Sequence, residues 1–216
     1  MFLDLDTMGL QGELRTQEPM SRHTSWKTGG NADYYYIASD INDLAKFISK
    51  LPTSTPITWI GLGSNLLVRD GGVSGVVVSV VGLLNELKKI NETEIFIGAG
   101  VSCAKAAHFS AKHGLEGIEF LAGIPGTIGG ALAMNAGAYG GEIWSYIKEV
   151  ETINRKGKRE IFEKDKFDIN YRSVSISENE WFIACKMKLE ISTRTVVSDR
   201  IKKMLSERAN GQPLGK

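Results

Sequence analysis

Two cysteines, three histidines and five prolines are all that the 216 residues contain of those types. Cys103 and Cys185 stand far apart with no CxxC pair, so neither a disulfide framework nor a thiolate metal site is expected. They read as two buried small hydrophobes. No grouping of His, Cys and carboxylate has ligand spacing, and no metal is expected. Charge of one sign is also lacking. Lys and Arg total 26 against 25 Asp and Glu, a formal net charge of +1. A nucleic-acid binder shows a clear basic excess, so no nucleic-acid partner is expected. Long apolar runs are missing too. The stretch from Phe120 to Gly141 has no charge, but it holds seven Gly, one Pro and one Asn, a poor composition for a membrane helix. The start, Met1-Phe-Leu-Asp-Leu-Asp6, places acids where a secretory signal carries basic residues. A cytoplasmic protein with no membrane partner is expected.

What is present in excess is glycine. There are 24, and 17 of them lie between Gly61 and Gly141. In a chain that is 42% hydrophobic and 24% charged, an ordinary globular composition, such clustering marks backbone that turns sharply or approaches something closely.

Around the glycines the pattern is that of strands and helices in alternation. Asp33 to Ile37 reads as a strand. Ser39 or Asp40 then caps a helix carrying Leu44, Phe47, Ile48 and Leu51 at i, i+3, i+4, i+7. Ile57 to Ile60 is a strand running into Gly61, and Val76 to Val81 is a strand buried on both faces. Ile95 to Ile97 is followed by a helix from Ser102 to Lys112, stopped by Gly114. Beyond Gly141, Ile147 to Asn154 and Lys158 to Phe162 form a hairpin around Lys156-Gly157. Phe182 to Ile191 is one further strand. A last helix with Val197, Ile201, Met204 and Leu205 on one stripe ends near Gly211. Residues 142–216 carry 16 basic and 12 acidic side chains, a mildly basic end.

Two loops stand out chemically. Gly61-Leu-Gly-Ser-Asn65 ends a strand with Gly-x-Gly, a geometry that turns successive N–H groups toward an anion. Ser64 and Asn65 add side-chain donors. A dinucleotide fingerprint would need glycine at 66, where this chain has Leu66, and no Gly-Lys-Ser/Thr follows for a Walker loop. Taken alone it is equally readable as a tight turn. The second loop, Gly123-Ile-Pro-Gly-Thr-Ile-Gly-Gly130, continues to Asn135-Ala-Gly-Ala-Tyr-Gly140. Pro125 stiffens its turn, Thr127 is placed to cap a short helix, and Gly129 and Gly130 let another surface come close. Two such loops fit a large, flat, phosphate-bearing ligand, for which FAD is a candidate.

These loops, with His23-Thr-Ser-Trp-Lys-Thr-Gly-Gly30 before them and Tyr171-Arg172-Ser173 after, resemble the UDP-N-acetylenolpyruvoylglucosamine reductase family over nearly the whole chain and in the family's order. The resemblance implies an α+β protein of the vanillyl-alcohol-oxidase (PCMH) type of FAD fold. It implies FAD-binding subdomains at 1–81 and 82–192 and the start of a substrate-binding domain at 193–216. FAD contacts are implied at Gly61, Gly63, Ser64, Asn65, Leu66, Gly123, Ile124, Gly126, Gly129, Gly130, Asn135, Gly137 and Tyr139. The implied reaction is NADPH-dependent, FAD-mediated reduction of the enolpyruvyl ether of a UDP-sugar in peptidoglycan synthesis, and a full-length protein is expected to be a monomer. Arg172 is the implied catalytic residue, its charge opposing the enolate-like charge that forms beside the substrate carboxylate, and Tyr171 beside it is an implied substrate contact.

The chain lacks an inserted tyrosine-bearing loop after Arg172, which marks the shorter, type II form. The family's protonating serine and late glutamate are expected past Lys216. Two alternatives therefore stay open: an FAD-binding module without turnover, or another oxidoreductase of the same fold. The stripe on the last helix is expected to lack part of its cover.

Overall fold

The computed structural model describes residues 9–211, so the acidic start at Asp4 and Asp6 lies outside the described residues. The chain opens with β1 (Glu13–Pro19) and β2 (Asn31–Ile37), then α1 (Ile41–Lys50), β3 (Ile57–Ile60) and β4 (Val73–Ser79). These strands form one sheet in the order β1-β2-β4-β3, with β1 antiparallel to β2 and the other pairs parallel. Val76, Val77 and Val78 on β4 are fully buried, as a strand covered on both faces requires. The strand is shorter than the apolar run. The Val80 amide donates to Ile60 O, and Val81 leads out to an exposed turn at Gly82.

Asp40 caps α1, its Oδ1 accepting from the amides of Asn42 at 2.7 Å and Asp43 at 2.8 Å. Leu44, Phe47 and Ile48 are buried on the inner face, with the Phe47 ring stacked on Tyr36. Asp43, within the first turn, accepts from the Tyr36 hydroxyl, the Gln11 amide and the Ser39 amide. Burial alone would raise its pKa, but these donors outweigh it and hold the carboxyl below its ordinary value. The Tyr36 hydroxyl is pushed up by burial and by the same carboxylate.

The second part runs through β5 (Leu87–Lys89), β6 (Glu94–Gly98), α2 (Cys103–Lys112), β7 (Leu115–Glu116) and a 3-10 turn at Glu119–Gly123 to α3 (Ile128–Ala133). It continues with β8 (Gly137–Ala138), β9 (Gly141–Glu142), β10 (Ile147–Asn154), β11 (Arg159–Glu163), β12 (Asp168–Asn170), β13 (Ser173–Ser175), β14 (Glu180–Lys188) and β15 (Glu190–Ile191). The main sheet is antiparallel throughout, in the order β11-β10-β14-β6-β5. The expected single strand from Phe182 to Ile191 is broken at Leu189. Its amide turns to Thr93 O, and β15 then pairs with β7.

This sheet serves two cores. Val150, Phe182 and Cys185 face α2 and α3, while Ile153 and Ile183 join the core of α1. At the seam Trp59 stacks on Trp181, ring centroids 5.3 Å apart and planes at 7°. Arg155, at the tip of the hairpin, donates to Pro52 O and Thr55 O across the same seam. Cys103 and Cys185 are both buried and free, and burial raises their thiol pKa values, Cys103 to about 12. Both stay protonated and act as packing groups.

The last helix, α4 (Arg194–Gly211), has its apolar stripe covered in part, as expected. Val197 and Ile201 are 0% and 1% exposed, packed against α2 and the Glu119–Gly123 turn. Arg200 fastens the helix by ion pairs to Glu116 at 2.8 Å and Glu119 at 3.3 Å. Of the stripe, Leu205 is the member left exposed. Among the described residues no helix is long and apolar enough to cross a membrane.

Replacing Asp43 with Ala leaves the buried Tyr36 hydroxyl without an acceptor and is expected to cost about 1–3 kcal/mol in urea unfolding. Because the folded-state pKa is depressed, this contribution is present above the unfolded value of about 3.9 and lost as pH falls through the folded value. Asp43→Ala should thus cost less stability at pH 3 than at pH 7; an equal loss at both would contradict the assignment.

Candidate functional site

The two glycine loops meet face to face. The first follows β3, and the second links the 3-10 turn at Glu119–Gly123 to α3. A Cβ on Gly61 would overlap the Thr127 hydroxyl, so the loops touch only because that atom is missing. Ser64 Oγ donates to Pro125 O at 3.0 Å, and a Cβ on Gly126 would stand 2.7 Å from the same Oγ. Thr127 occupies the N-cap position of α3, but its hydroxyl caps nothing, contrary to expectation; it is turned to Gly61 instead.

Gly63 is fixed from behind. Its φ is +62°, its carbonyl accepts from the Ser25 amide at 3.1 Å, and a Cβ there would overlap the His23 carbonyl oxygen. The stretch from His23 to Gly30 is thus the bed of the first loop. His23 is itself held by Glu18 at 2.8 Å and stacked on Tyr35. The His23 partnership is the leading cause that keeps the buried Glu18 carboxyl below its ordinary pKa. The amides of Ser64 and Asn65, at the corner of a turn between Gly63 and Leu66, donate to no backbone carbonyl among the described residues.

Between the loops lies a cavity of about 630 Å³, within the usual range for ligand pockets. It is lined by Gly61 to Leu66, by Ile124 to Thr127, and by Gly130, Met134 and Arg172, with Trp59 at one wall. A second cavity of about 560 Å³ adjoins it, sharing Ile124, Pro125, Ala136 and Arg172, and adds Gly123, Gly137, Tyr139, Glu207 and Arg208. Every implied FAD contact lines one of the two except Gly129 and Asn135. The Gly129 amide donates to Ala99 O, and a Cβ there would stand 2.9 Å from the Ala99 Cβ; its missing side chain is required by protein packing. Gly130 has open space instead.

Asn135 is 1% exposed with φ +39°, and its Nδ2 donates to Glu142 Oε2 at 3.0 Å and Asn170 O at 3.1 Å. Arg172 lies at the tip of the β12–β13 hairpin with φ +57°, its Nη2 donating to Gly137 O at 2.7 Å. Tyr139 has φ +53° and donates its hydroxyl to Met204 O of α4 at 2.7 Å. Six non-glycine residues among those described have positive φ, and three of them are these. Left-handed backbone at non-glycine residues costs roughly 1–3 kcal/mol each and persists only where the surroundings enforce it. Tyr171 is 81% exposed and lines neither cavity; its ring lies 5.4 Å from the Arg172 guanidinium carbon. Glu142, Asn170 and Arg208 carry no local motif and are found only through the fold.

The cradle fits a dinucleotide: open backbone amides at one end, side-chain-free surface at Gly130, and a fixed guanidinium at the junction. An "FAD binding domain" family model matches residues 32–162. A UDP-N-acetylenolpyruvoylglucosamine reductase from Nitrosococcus oceani is 44% identical over 97% of this chain and 70% of its own length. The chain belongs to that reductase family. The corresponding reductase of Legionella pneumophila is 46% identical over 94% of the chain and 66% of its own length, so the chain spans about two thirds of these relatives. The crystal structure of the reductase from Thermus caldophilus superposes with a TM-score of 0.78 at 26% identity, over 94% of this chain and 71% of that one. A 6-hydroxy-D-nicotine oxidase from Arthrobacter nicotinovorans, with a TM-score of 0.58 at 15% identity over 85% of the chain and 43% of its own length, shares the fold. The fold is the vanillyl-alcohol-oxidase type, and FAD is the cofactor of this reductase family member.

Gly63→Ala sets a methyl group into the His23 carbonyl and is expected to weaken FAD at least tenfold, about 1.4 kcal/mol, in a flavin-fluorescence titration. Gly82→Ala is the control: φ is +82° but no heavy atom lies within 4 Å. It should cost about 1 kcal/mol of stability and leave FAD affinity unchanged.

Proposed function

We propose that the junction of the two cavities is where an enolpyruvyl ether of UDP-N-acetylglucosamine is reduced with NADPH as co-substrate. The observation that carries this is Arg172, a strained residue that lines both cavities and whose guanidinium is held by the Gly137 carbonyl. FAD, when bound, supplies the relay of a hydride from NADPH to an electron-poor double bond.

The chain's own residues bind and orient. The amides of Ser64 and Asn65 meet phosphate oxygens, while the Ser64 hydroxyl ties the two loops together through Pro125. The side-chain-free surface at Gly126 and Gly130 admits a flat ring, and Gly123, Gly137 and Tyr139 border the adjoining space. Arg172 pairs with the substrate carboxylate, and its fixed charge opposes the negative charge that grows beside that carboxylate as the double bond is reduced. Tyr171, exposed beside it, closes on the bound UDP-sugar. In this reading the flavin is held by subdomains spanning 1–81 and 82–192, residues 193–216 begin the substrate domain, and the full-length protein acts as a cytoplasmic monomer.

The cavity lining, mostly glycine, alanine and loop backbone suited to holding a cofactor, also fits a second reading, an FAD-binding module without turnover. Purified protein distinguishes the two. A yellow protein that oxidises NADPH only when the enolpyruvyl UDP-sugar is present supports the reductase. Bleaching of the flavin by NADPH with no product supports the module, and a colourless protein that takes up no FAD sinks both. Arg172→Ala is expected to retain FAD and lower the rate of substrate reduction by ~10²–10³. Loss of FAD from that variant would mean that Arg172 belongs to the cofactor's site.

A further inference from the structure

The two cavities account for most of the second glycine cluster, but not for Glu142 just after it, which lines neither. Its carboxylate is joined to the Arg172 turn by a short chain of contacts. Glu142 Oε2 accepts from Asn135 Nδ2 at 3.0 Å, and the same nitrogen donates to Asn170 O at 3.1 Å, two residues before Arg172. Asn135 Nδ2 thus has both its protons engaged, one on each side. The assignment of amide nitrogen and oxygen follows from these partners, since both are acceptors. Asn135 is buried and its Oδ1 has no hydrogen-bond partner, so these two bonds are the polar contacts that orient its amide.

Backbone pairing closes the circuit. Glu142 is opposite Gly137 in the β8–β9 pair, with the Glu142 Cγ 3.0 Å from where a Cβ on Gly137 would be. Gly137 O is the acceptor for Arg172 Nη2. One residue therefore abuts both supports of the Arg172 turn: through Asn135 it holds the backbone at Asn170, and through β-pairing it fixes the carbonyl that orients the guanidinium. Asn135 and Arg172 both have positive φ, a conformation that relaxes when its enforcing contacts are removed.

We propose that Glu142 is a positioning residue for Arg172, acting through the Asn135 amide and needing only an acceptor oxygen, not a charge. The inference rests on the assignment of Arg172 to the substrate carboxylate, and it deepens that reading by naming what holds the guanidinium ready.

The test compares Glu142→Gln, which keeps an acceptor for Asn135, with Glu142→Ala, which does not. In the purified full chain, with and without FAD, modification of Arg172 by phenylglyoxal is followed by peptide mass spectrometry. Glu142→Ala is expected to speed it roughly tenfold, the order expected for loss of a hydrogen bond to a charged group, and Glu142→Gln to leave it near the parent rate. Modification of Arg155 and Arg200, held elsewhere, serves as the folding control and should be unchanged. On the FAD-loaded protein, the enolpyruvyl UDP-sugar is titrated by the visible flavin spectrum. Its affinity should fall in Glu142→Ala, return in Glu142→Gln, and fall furthest in Arg172→Ala.

Equal Arg172 labelling in parent and Glu142→Ala overturns the proposal, as does a Glu142→Gln variant that behaves like Glu142→Ala. If the UDP-sugar leaves the spectrum of the parent protein unperturbed, the substrate assignment fails while the labelling still decides whether Glu142 holds Arg172. A general rise in labelling at all three arginines in Glu142→Ala, not reversed in Glu142→Gln, also overturns it, because the effect is then one of folding.

Discussion

The contact between Gly61 and Thr127 is the constraint on which the rest depends. It brings the end of a parallel strand from one sheet against the N-terminus of a short helix in front of the other, at a distance that any side chain at position 61 forbids. Ser64 and Pro125 add a hydrogen bond beside it. The two sheets must then be placed so that their loops converge, and the seam through Trp59, Trp181 and Arg155 does that. The cavity is what remains between surfaces that meet at this edge and part beyond it.

Strain is concentrated on the opposite rim. Asn135, Tyr139 and Arg172 each have left-handed backbone, and each is tied to a different element: Asn135 to the β12–β13 turn, Tyr139 to α4, Arg172 to β8. The smooth wall of backbone formed by the glycines has few directional groups. The rim supplies them, at a backbone cost offset by the packing of two large cores. A rigid, nearly featureless cradle facing a small set of enforced polar groups is a division of labour suited to a large cofactor and a small reacting centre.

Much of this was readable from sequence because the signals are local. The cap at Asp40, the stripe of Leu44, Phe47 and Ile48, the hairpin around Gly157 and the buried run at Val76 to Val78 are each decided by a few adjacent residues, and the structure holds them at or near the expected positions. Boundaries went astray where a distant partner decides, as at Val80 and Leu189, whose amides pair with residues far along the chain. The same distinction applies to the site. Glycine clustering is visible in one dimension, yet which glycine faces the cavity is not: Gly129 and Gly130 are neighbours with opposite surroundings. Nor does any spacing reveal that Glu142 reaches the Arg172 turn, or that Arg208 on α4 joins a cavity built some seventy residues earlier. Which surface covers part of the last helix was hidden for the same reason, since the residues that receive Val197 and Ile201 lie about eighty positions before them.

The stacked indoles at the seam give the molecule an optical property. Two nearly parallel rings 5.3 Å apart, one from each sheet, interact as coupled chromophores. One of them, Trp59, also forms a wall of the cavity. Near-ultraviolet circular dichroism from this pair is therefore a native gauge of how the two sheets sit against each other, sensitive to what occupies the space beside it and requiring no label.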